Sequence, residues 1–330
     1  MEINEAFMSR CLTLAAHGAG KVSPNPMVGA VIVYRGSIIG EGYHRKYGDA
    51  HAEVIAVRSV TNPALLPEST MYVNLEPCSH YGKTPPCAGL IIDKRIPRVA
   101  VACLDPNPVV AGAGIEALRQ NGVEVVTGVL EKEARELNRE FLTFHTAKRP
   151  YIYIKWAQSS DGFIDRRRES CKEPPARLSS DMALQWVHKK RSEVAAIMVG
   201  TRTALLDNPA LTVRRWAGRS PVRITFDRRL AIPSSHRLLD GSLPTLVFTE
   251  REEPLRPNLE YIRIDFGGNI LKQTLDELYA RRIISLLVEG GAALIESFVK
   301  EDLWDEIQIE TVGIKLGEGV KAPVMLKVKM

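Results

Sequence analysis

The sequence predicts two layered α/β domains in tandem, and three observations predict them. The chain has 330 residues, more than one hydrophobic core usually organises. Short apolar runs alternate with helical patterns along its whole length, the signature of sheets covered by helices. Near the middle, Thr146-Ala147-Lys148-Arg149-Pro150 is polar and ends in a proline, which suits a boundary between domains at residues 1–146 and 151–330.

In the first domain, residues 28–34 read as a strand, Arg35-Gly36-Ser37 as a turn and residues 38–43 as the returning strand of a hairpin. Helical patterns over 52–60, 86–94 and 114–121 then interleave with strands over 71–75 and 99–103. A single helix over 130–145 closes the domain. In the second domain, residues 151–157, 195–199, 221–226, 245–248 and 283–288 read as strands. Helical patterns lie between them, with Leu271, Leu275 and Leu278 on one face at the helical period. No internal repeat is visible.

Hydrophobic residues make up 45% and charged residues 25% of the chain, the profile of a globular protein. The formal charge of +5 is too small to demand nucleic acid as a partner, yet a few arginines in a cleft suffice for a small anion. The densest basic cluster, Arg166-Arg167-Arg168, reads as a solvated turn. The acidic start has no basic segment followed by an apolar one, and nowhere do about 18 apolar residues run together. The five cysteines are unevenly spaced and do not form a disulfide framework. The expectation is a cytoplasmic protein that engages neither membrane nor nucleic acid; the sequence leaves open whether it is a homo-oligomer.

One constellation carries chemistry. His51-Ala52-Glu53 is followed by Pro77-Cys78 and Cys87, offering one imidazole and two thiolates to a zinc ion. Three protein ligands leave a fourth position for water, whose pKa the metal lowers toward neutrality. Glu53, two residues after His51 at a helix start, can take the proton from that water and pass it to a departing amine. Zinc base deaminases use this set with two residues between the cysteines; here eight intervene, residues 79–86. Cys11 and Cys103 lie in apolar runs and read as core residues, while Cys171 has no assigned role.

The long insert carries a resemblance. Asn25-Pro26-Met27-Val28-Gly29-Ala30, His51-Ala52-Glu53, the run from Leu75-Glu76-Pro77-Cys78 through His80-Tyr81-Gly82-Lys83-Thr84-Pro85-Pro86-Cys87, and Asp105-Pro106-Asn107-Pro108 resemble the bifunctional deaminase-reductases of riboflavin biosynthesis. Ser160-Asp161-Gly162, Asp207-Asn208-Pro209 with Leu211-Thr212-Val213-Arg214, and Val288-Glu289-Gly290-Gly291 are similar to the reductase half of that family. The resemblance implies a cytidine-deaminase-like layered domain followed by a dihydrofolate-reductase-like domain. It also implies zinc and NADPH as cofactors and a phosphorylated pyrimidine as substrate: a diaminopyrimidinone bearing a ribosylamino 5'-phosphate, deaminated first and then reduced from ribosyl to ribityl.

Matched motif by motif, the resemblance puts Asn25, His44, His80, Lys83 and Asn107 in the deaminase substrate pocket, Lys83 as the phosphate partner. In the reductase half it puts Lys155, Arg191, Leu211, Arg214 and Glu289 on the substrate, with Arg191 and Arg214 suited to phosphate. Ala157, Thr203, Asp207 and the stretch Gly291, Ala292, Ala293, Leu294, Ile295, Glu296 and Ser297 fall at cofactor positions. Gly290-Gly291 between a strand and a helical run also suits a phosphate on physical grounds. Arg202, Arg228 and Arg229 flank these positions and are candidates for the cofactor's 2'-phosphate. Where many members carry a serine and a tryptophan, this chain has Pro175 and Arg177, and neither these nor the charged loop 166–175 receives a role. Gly112-Ala113-Gly114-Ile115-Glu116-Ala117 fits a dinucleotide fingerprint only formally, since it follows the strand ending at Cys103 too distantly.

Two other readings compete. A nucleic-acid base deaminase shares the zinc elements but wants a basic groove for the backbone. A structural zinc protein without catalysis would usually recruit a fourth protein ligand.

Overall fold

Helix α1 (Glu5–Ala16) starts where the Asn4 side chain accepts the Ala6 N–H at 3.0 Å, satisfying one of the amides a helix start leaves over. Strands β1 (Gly29–Tyr34) and β2 (Ser37–Tyr43) then form the expected hairpin. After them come α2 (Ala52–Ser59), β3 (Thr70–Leu75), α3 (Cys87–Asp93), β4 (Arg98–Cys103), α4 (Ala113–Gln120), β5 (Glu124–Thr127), α5 (Glu131–Leu137) and α6 (Arg139–Ala147). The structure is a computed structural model that describes residues 3–79, 86–107 and 111–324. The chain divides into two units, Met1–Lys148 and Arg149–Met330.

In the first unit the sheet order is β2-β1-β3-β4-β5, antiparallel around β1 and parallel from β3 onward. Alternate residues feed opposite faces, as the two-residue strand period requires. Ile32, Met71, Val73, Val99 and Val101 pack under Ala56, Ile91 and Leu118. Val31, Val33, Tyr72, Ala100 and Ala102 pack against Met8, Cys11, Leu14 and Phe141. Burial on both faces explains why β3 and β4 are continuous apolar runs, and Cys11 and Cys103 are core residues as expected.

The helix expected over 130–145 is two helices. Asn138 breaks it with φ −102° and ψ 20°, and its side chain leaves to bond the N–H and C=O of Met27 at 2.8 and 2.9 Å. Both halves keep apolar faces, with Ala134, Phe141 and Phe144 buried, so the hydrophobic period runs through the break.

The second unit contains β6 (Tyr151–Ser159), β7 (Phe163–Asp165), α7 (Asp181–Glu193), β8 (Ala196–Val199), α8 (Thr201–Asp207), β9 (Val222–Phe226), β10 (Thr245–Thr249), β11 (Leu259–Arg263), α9 (Ile270–Ala280), β12 (Ser285–Gly290), α10 (Ala292–Lys300), β13 (Glu306–Val312) and β14 (Val320–Lys321). Its main sheet, β11-β10-β9-β8-β12-β6-β13, pairs in parallel throughout. Ile154, Met198, Ile224, Phe248 and Val288 pack against Leu271, Leu275, Leu278, Ile295 and Phe298 of the two helices on one face. Tyr153, Ile197, Val199 and Leu287 pack against Ala204, Leu211 and Leu238 on the other. Both units are α/β, as expected. Strands β11 and β13 escape the hydrophobic pattern because they carry several part-exposed or exposed residues at the sheet edges.

Candidate metal centre and reductase cavity

His51 is the N-cap of α2, with extended backbone (φ −68°, ψ 161°) and no side-chain capping bond, so its imidazole is available to a ligand. Cys78 follows β3, and Cys87 opens α3. The long insert therefore returns to the metal site: Cys87 N–H donates to Cys78 Sγ at 3.3 Å. His51 Nδ1 lies 3.6 Å from Cys78 Sγ and 3.3 Å from Cys87 Sγ. Tetrahedral zinc with Zn–S of about 2.3 Å and Zn–N of about 2.0 Å needs a sulfur–nitrogen separation of about 3.5 Å. The three donor atoms fit zinc by that measure, and among the described residues no fourth ligand joins them.

Glu53 lies on the first turn of α2, 3% exposed. Its Oε2 is buried and has no hydrogen-bond partner among the described residues. An orphaned buried carboxylate oxygen beside three metal ligands is costly unless something binds there. Burial, and then the charge of Cys78, raises the Glu53 pKa. The hydrogen bond from Cys87 pulls the Cys78 thiol down to about 4, and the same bond together with burial pushes the Cys87 thiol up. Both sulfurs must be thiolates to ligate zinc, so metal binding releases protons. The bond to Cys78 raises His51.

His44 and Asn25 adjoin the centre. The His44 ring lies 5.8 Å from that of His51. Its Nδ1 donates to Ala50 O at 3.1 Å and its Nε2 accepts from Asn25 Nδ2 at 3.2 Å, the tautomer that satisfies both partners. Burial lowers the His44 pKa, the direction that favours a ring nitrogen able to accept. The Asn107 N–H donates to Asp105 Oδ1 at 2.8 Å, in the loop after β4. His80 and Lys83 lie outside the described residues.

Three residues that sequence reasoning missed hold this arrangement. Asn74, fully buried in β3, accepts from Gly29 N–H at 2.7 Å and donates to Met27 O at 3.0 Å. With Asn138 it pins the loop that carries Asn25. Glu76, next to Pro77, accepts the N–H groups of Asp105, Gly112, Gly114 and Ile115 at 3.2, 3.0, 2.9 and 3.4 Å. It joins the Pro77-Cys78 turn to the loop of Asn107 and to the start of α4. Only glycine fits at 114, where a Cβ would sit 2.0 Å from Pro77 O; this is what the formal glycine motif serves. A carboxylate ending an apolar strand was the available signal, because a buried charge must be paired.

In the second unit, a cavity of about 370 Å³ opens where β6, β12, α8 and the start of α10 meet. Ala157, Thr203, Asp207, Gly291, Ala292 and Ile295 of the expected cofactor positions line it, as do Lys155 and Glu289 of the substrate positions. Ala293, Leu294, Glu296 and Ser297 are not in its lining. They lie further along α10, where Leu294 joins the core, Glu296 lies 3.5 Å from Lys300 and Ser297 Oγ donates to Ala293 O. A helix presents only one side to a cavity. Gly291 has φ +88° and lies against Thr203; it starts α10 with no side-chain cap, leaving first-turn amides for an anion.

Of the expected substrate residues, Arg191, Glu289 and Arg214 are linked through Thr212. Arg191 is bonded to Glu289 through both its Nε, at 2.8 Å, and its Nη2, and donates Nη1 to Thr212 O at 3.2 Å. Arg214 is exposed, donating Nη1 to Thr212 Oγ1 at 2.8 Å. Leu211 is buried in the core at φ +52°. Lys155 lies 3.4 Å from Ser179 Oγ and 3.6 Å from Glu310. Of the arginines considered for the 2'-phosphate, Arg202 lines the cavity, Arg228 pairs with Glu250 at 2.7 Å and Arg229 is exposed.

The expectation of a solvated turn at 166–168 is corrected at Arg168, which is 4% exposed. It is buried because Asp165 and Asp207 both bond its guanidinium, and charge-assisted bonds offset the loss of water.

Fold and site together define a two-domain enzyme: a zinc-dependent deaminase followed by a reductase. Residues 1–103 match the cytidine and deoxycytidylate deaminase zinc-binding region, and residues 150–327 the RibD C-terminal domain. The riboflavin biosynthesis protein RibD of Aquifex aeolicus is 43% identical over 97% of this chain and 89% of its own length; that of Escherichia coli is 35% identical over 96% and 90%. A diaminohydroxyphosphoribosylaminopyrimidine deaminase/5-amino-6-(5-phosphoribosylamino)uracil reductase from Thermotoga maritima superposes with a TM-score of 0.86 at 38% identity, covering 96% of this chain and 89% of that one. RibD of Acinetobacter baumannii gives a TM-score of 0.87 at 33% identity, covering 99% and 91%. The chain belongs to the RibD family, the bifunctional deaminase-reductases of riboflavin biosynthesis. Its deaminase half is zinc-binding and its reductase half uses NADPH. Among the described residues no helix is long and apolar enough to cross a membrane.

Proposed function

We propose that the chain deaminates 2,5-diamino-6-(5-phosphoribosylamino)pyrimidin-4-one and then reduces the ribosyl group of the deaminated product to ribityl. The observation that carries the first step is the unpartnered Glu53 Oε2, buried beside the His51, Cys78 and Cys87 donors. These three residues would hold zinc, which would supply a water acidic enough to react at neutral pH. Glu53 takes the proton of that water on Oε2 and delivers it to the departing amine, and its raised pKa suits a group that must both accept and release a proton. Asn25 and His44, held by their mutual bond, orient the pyrimidine beside the metal. Asn107 completes that wall, and Lys83 meets the substrate phosphate.

For the second step, NADPH supplies the hydride when bound in the cavity of the second unit. The amides at Gly291 and Ala292, with Thr203 and Arg202, suit its phosphates, and Ala157 and Asp207 line the same space. Lys155 and the bonded pair Arg191–Glu289 face the sugar side, with Arg214 available to the 5'-phosphate. Because Arg228 is taken by Glu250, Arg202 is the favoured partner of the 2'-phosphate. The domain limits 1–146 and 151–330 fit this division, each reaction drawing its residues from one side of Pro150.

The test is to incubate the zinc-loaded protein with the diaminopyrimidinone, with and without NADPH. Ammonia release in both tubes, and NADPH oxidation following it in one, is the expected result. Ammonia release from cytosine in DNA, with none from the diaminopyrimidinone, would instead favour a nucleic-acid base deaminase.

A further inference from the structure

Arg168 lines the reductase cavity and is a buried cation whose three nitrogens all meet protein oxygens. Nε donates to Asp165 Oδ2 at 2.8 Å. Nη2 lies 2.6 Å from that oxygen and also bonds Asp207 Oδ1. Nη1 donates to Glu173 O at 3.2 Å and Leu206 O at 3.4 Å. A guanidinium has five N–H groups on three nitrogens, and each of the three nitrogens donates to a protein oxygen here. The guanidinium of Arg168 is therefore committed to the protein itself.

What it holds is the wall of the cavity. Asp165 ends β7, and its Oδ1 accepts the Ala176 N–H at 2.8 Å; Pro175, Ala176, Arg177 and Leu178 line the same cavity. Asp207 ends α8, on the far side of Arg168. The carbonyl of Arg168 accepts Arg202 Nη2 at 2.8 Å, which orients another cation of the cavity lining. A buried ion cluster is a poor source of stability for its desolvation cost, and a fixed geometry is its best-attested use.

We propose that Arg168 is a positioning residue of the reductase. By clamping Asp165 to Asp207 it fixes the wall at residues 175–178 and the aim of Arg202, and so sets NADPH affinity without touching NADPH. The inference rests on the proposed reading of this cavity as the NADPH site.

The test compares Arg168→Lys and Arg168→Met with the unmodified protein, with Asp165→Asn as a milder break should Arg168→Met fail to fold. NADPH binding is followed by fluorescence titration and turnover with the deaminated substrate. Losing the aim of a charge-assisted contact to NADPH costs about 10- to 100-fold in affinity, so Kd and KM for NADPH should rise by about that factor in both Arg168 variants and less in Asp165→Asn. Turnover at saturating NADPH should stay within about threefold, and ammonia release should not change. Lysine should not rescue, because one ammonium cannot span two carboxylates and two carbonyls. Full rescue by lysine would mean that charge alone matters, and unchanged Kd in all three variants would mean a merely structural role; either overturns the inference. Failure of the unmodified protein to bind NADPH would instead overturn the proposed function, and this inference with it.

Discussion

Arg191 and Glu289 are bonded to each other by two parallel contacts, Nε to Oε1 at 2.8 Å and Nη2 to Oε2. The family resemblance puts both at substrate positions. Their side chains are only 12% and 10% exposed, so each is the other's main compensation for lost water. Removing one partner of such a pair costs about 3 kcal/mol, because the other charge is left buried. Arg191→Met should lower stability by that amount in urea titration. Arg214→Met, at an exposed position, should stay within about 0.5 kcal/mol of the unmodified protein. Equal stability of the two variants would mean that Arg191 serves only the substrate.

One zinc per chain is expected, bound by His51, Cys78 and Cys87. The cysteines come from opposite ends of the insert, yet both lie within 3.6 Å of His51 Nδ1. Cys87→Ala should lose the metal in elemental analysis, and chelation of the unmodified protein should lower its melting temperature, as loss of any ligand specific to the native state does. Full zinc in Cys87→Ala would refute the ligand set.

Glu76 should be far less replaceable than an ordinary glutamate. Each of its oxygens accepts two backbone N–H groups, Asp105 and Gly112 on Oε2, Gly114 and Ile115 on Oε1. In Glu76→Gln an amide nitrogen replaces one acceptor and leaves two buried donors unmatched, which costs about 2 kcal/mol or more. Urea denaturation of this variant should show that loss; an unchanged midpoint would contradict it.

His188 gives a pH signature. It is 4% exposed and its Nδ1 accepts the Arg214 N–H at 3.1 Å. Burial, then the neighbouring Arg191 charge, lowers its pKa to about 4. In the unfolded chain a histidine titrates near about 6.5, so on acidification the unfolded state takes the proton first. The contribution of neutral His188 is fully present above about pH 6.5, falls as pH drops toward 4 and levels off below. His188→Gln should flatten this part of the stability profile relative to the unmodified protein, and identical profiles would show that His188 is not the group responsible.

How much was legible follows from what kind of residue carries each feature. The metal site was readable because zinc demands particular donors, and His51, Cys78 and Cys87 can be named before their distances are known. The strands of both cores were readable because burial on both faces makes them apolar throughout. The break at Asn138 was not, since its cause is a long-range bond to Met27 and the apolar period continues across it. Arg168 was misread for a related reason. Three consecutive arginines look like a solvated turn, and only the fold brings Asp207 within reach of one of them. His80 and Lys83, which the family resemblance assigned to the substrate, stand on that resemblance alone.

The central claim is that two chemistries are assembled separately, one around Glu53 and the metal ligands, the other around the cavity lined by Glu289 and Gly291. The direct measurement is Glu53→Gln, assayed for ammonia release from the diaminopyrimidinone and for NADPH oxidation with the already deaminated substrate. Glutamine keeps the shape but removes the proton carrier, a loss worth about 10²- to 10⁴-fold. The variant should keep its zinc, lose ammonia release by that factor and oxidise NADPH at the unmodified rate. Ammonia release within about threefold of the unmodified protein would contradict the role of Glu53, and loss of NADPH oxidation would contradict the separation of the two sites.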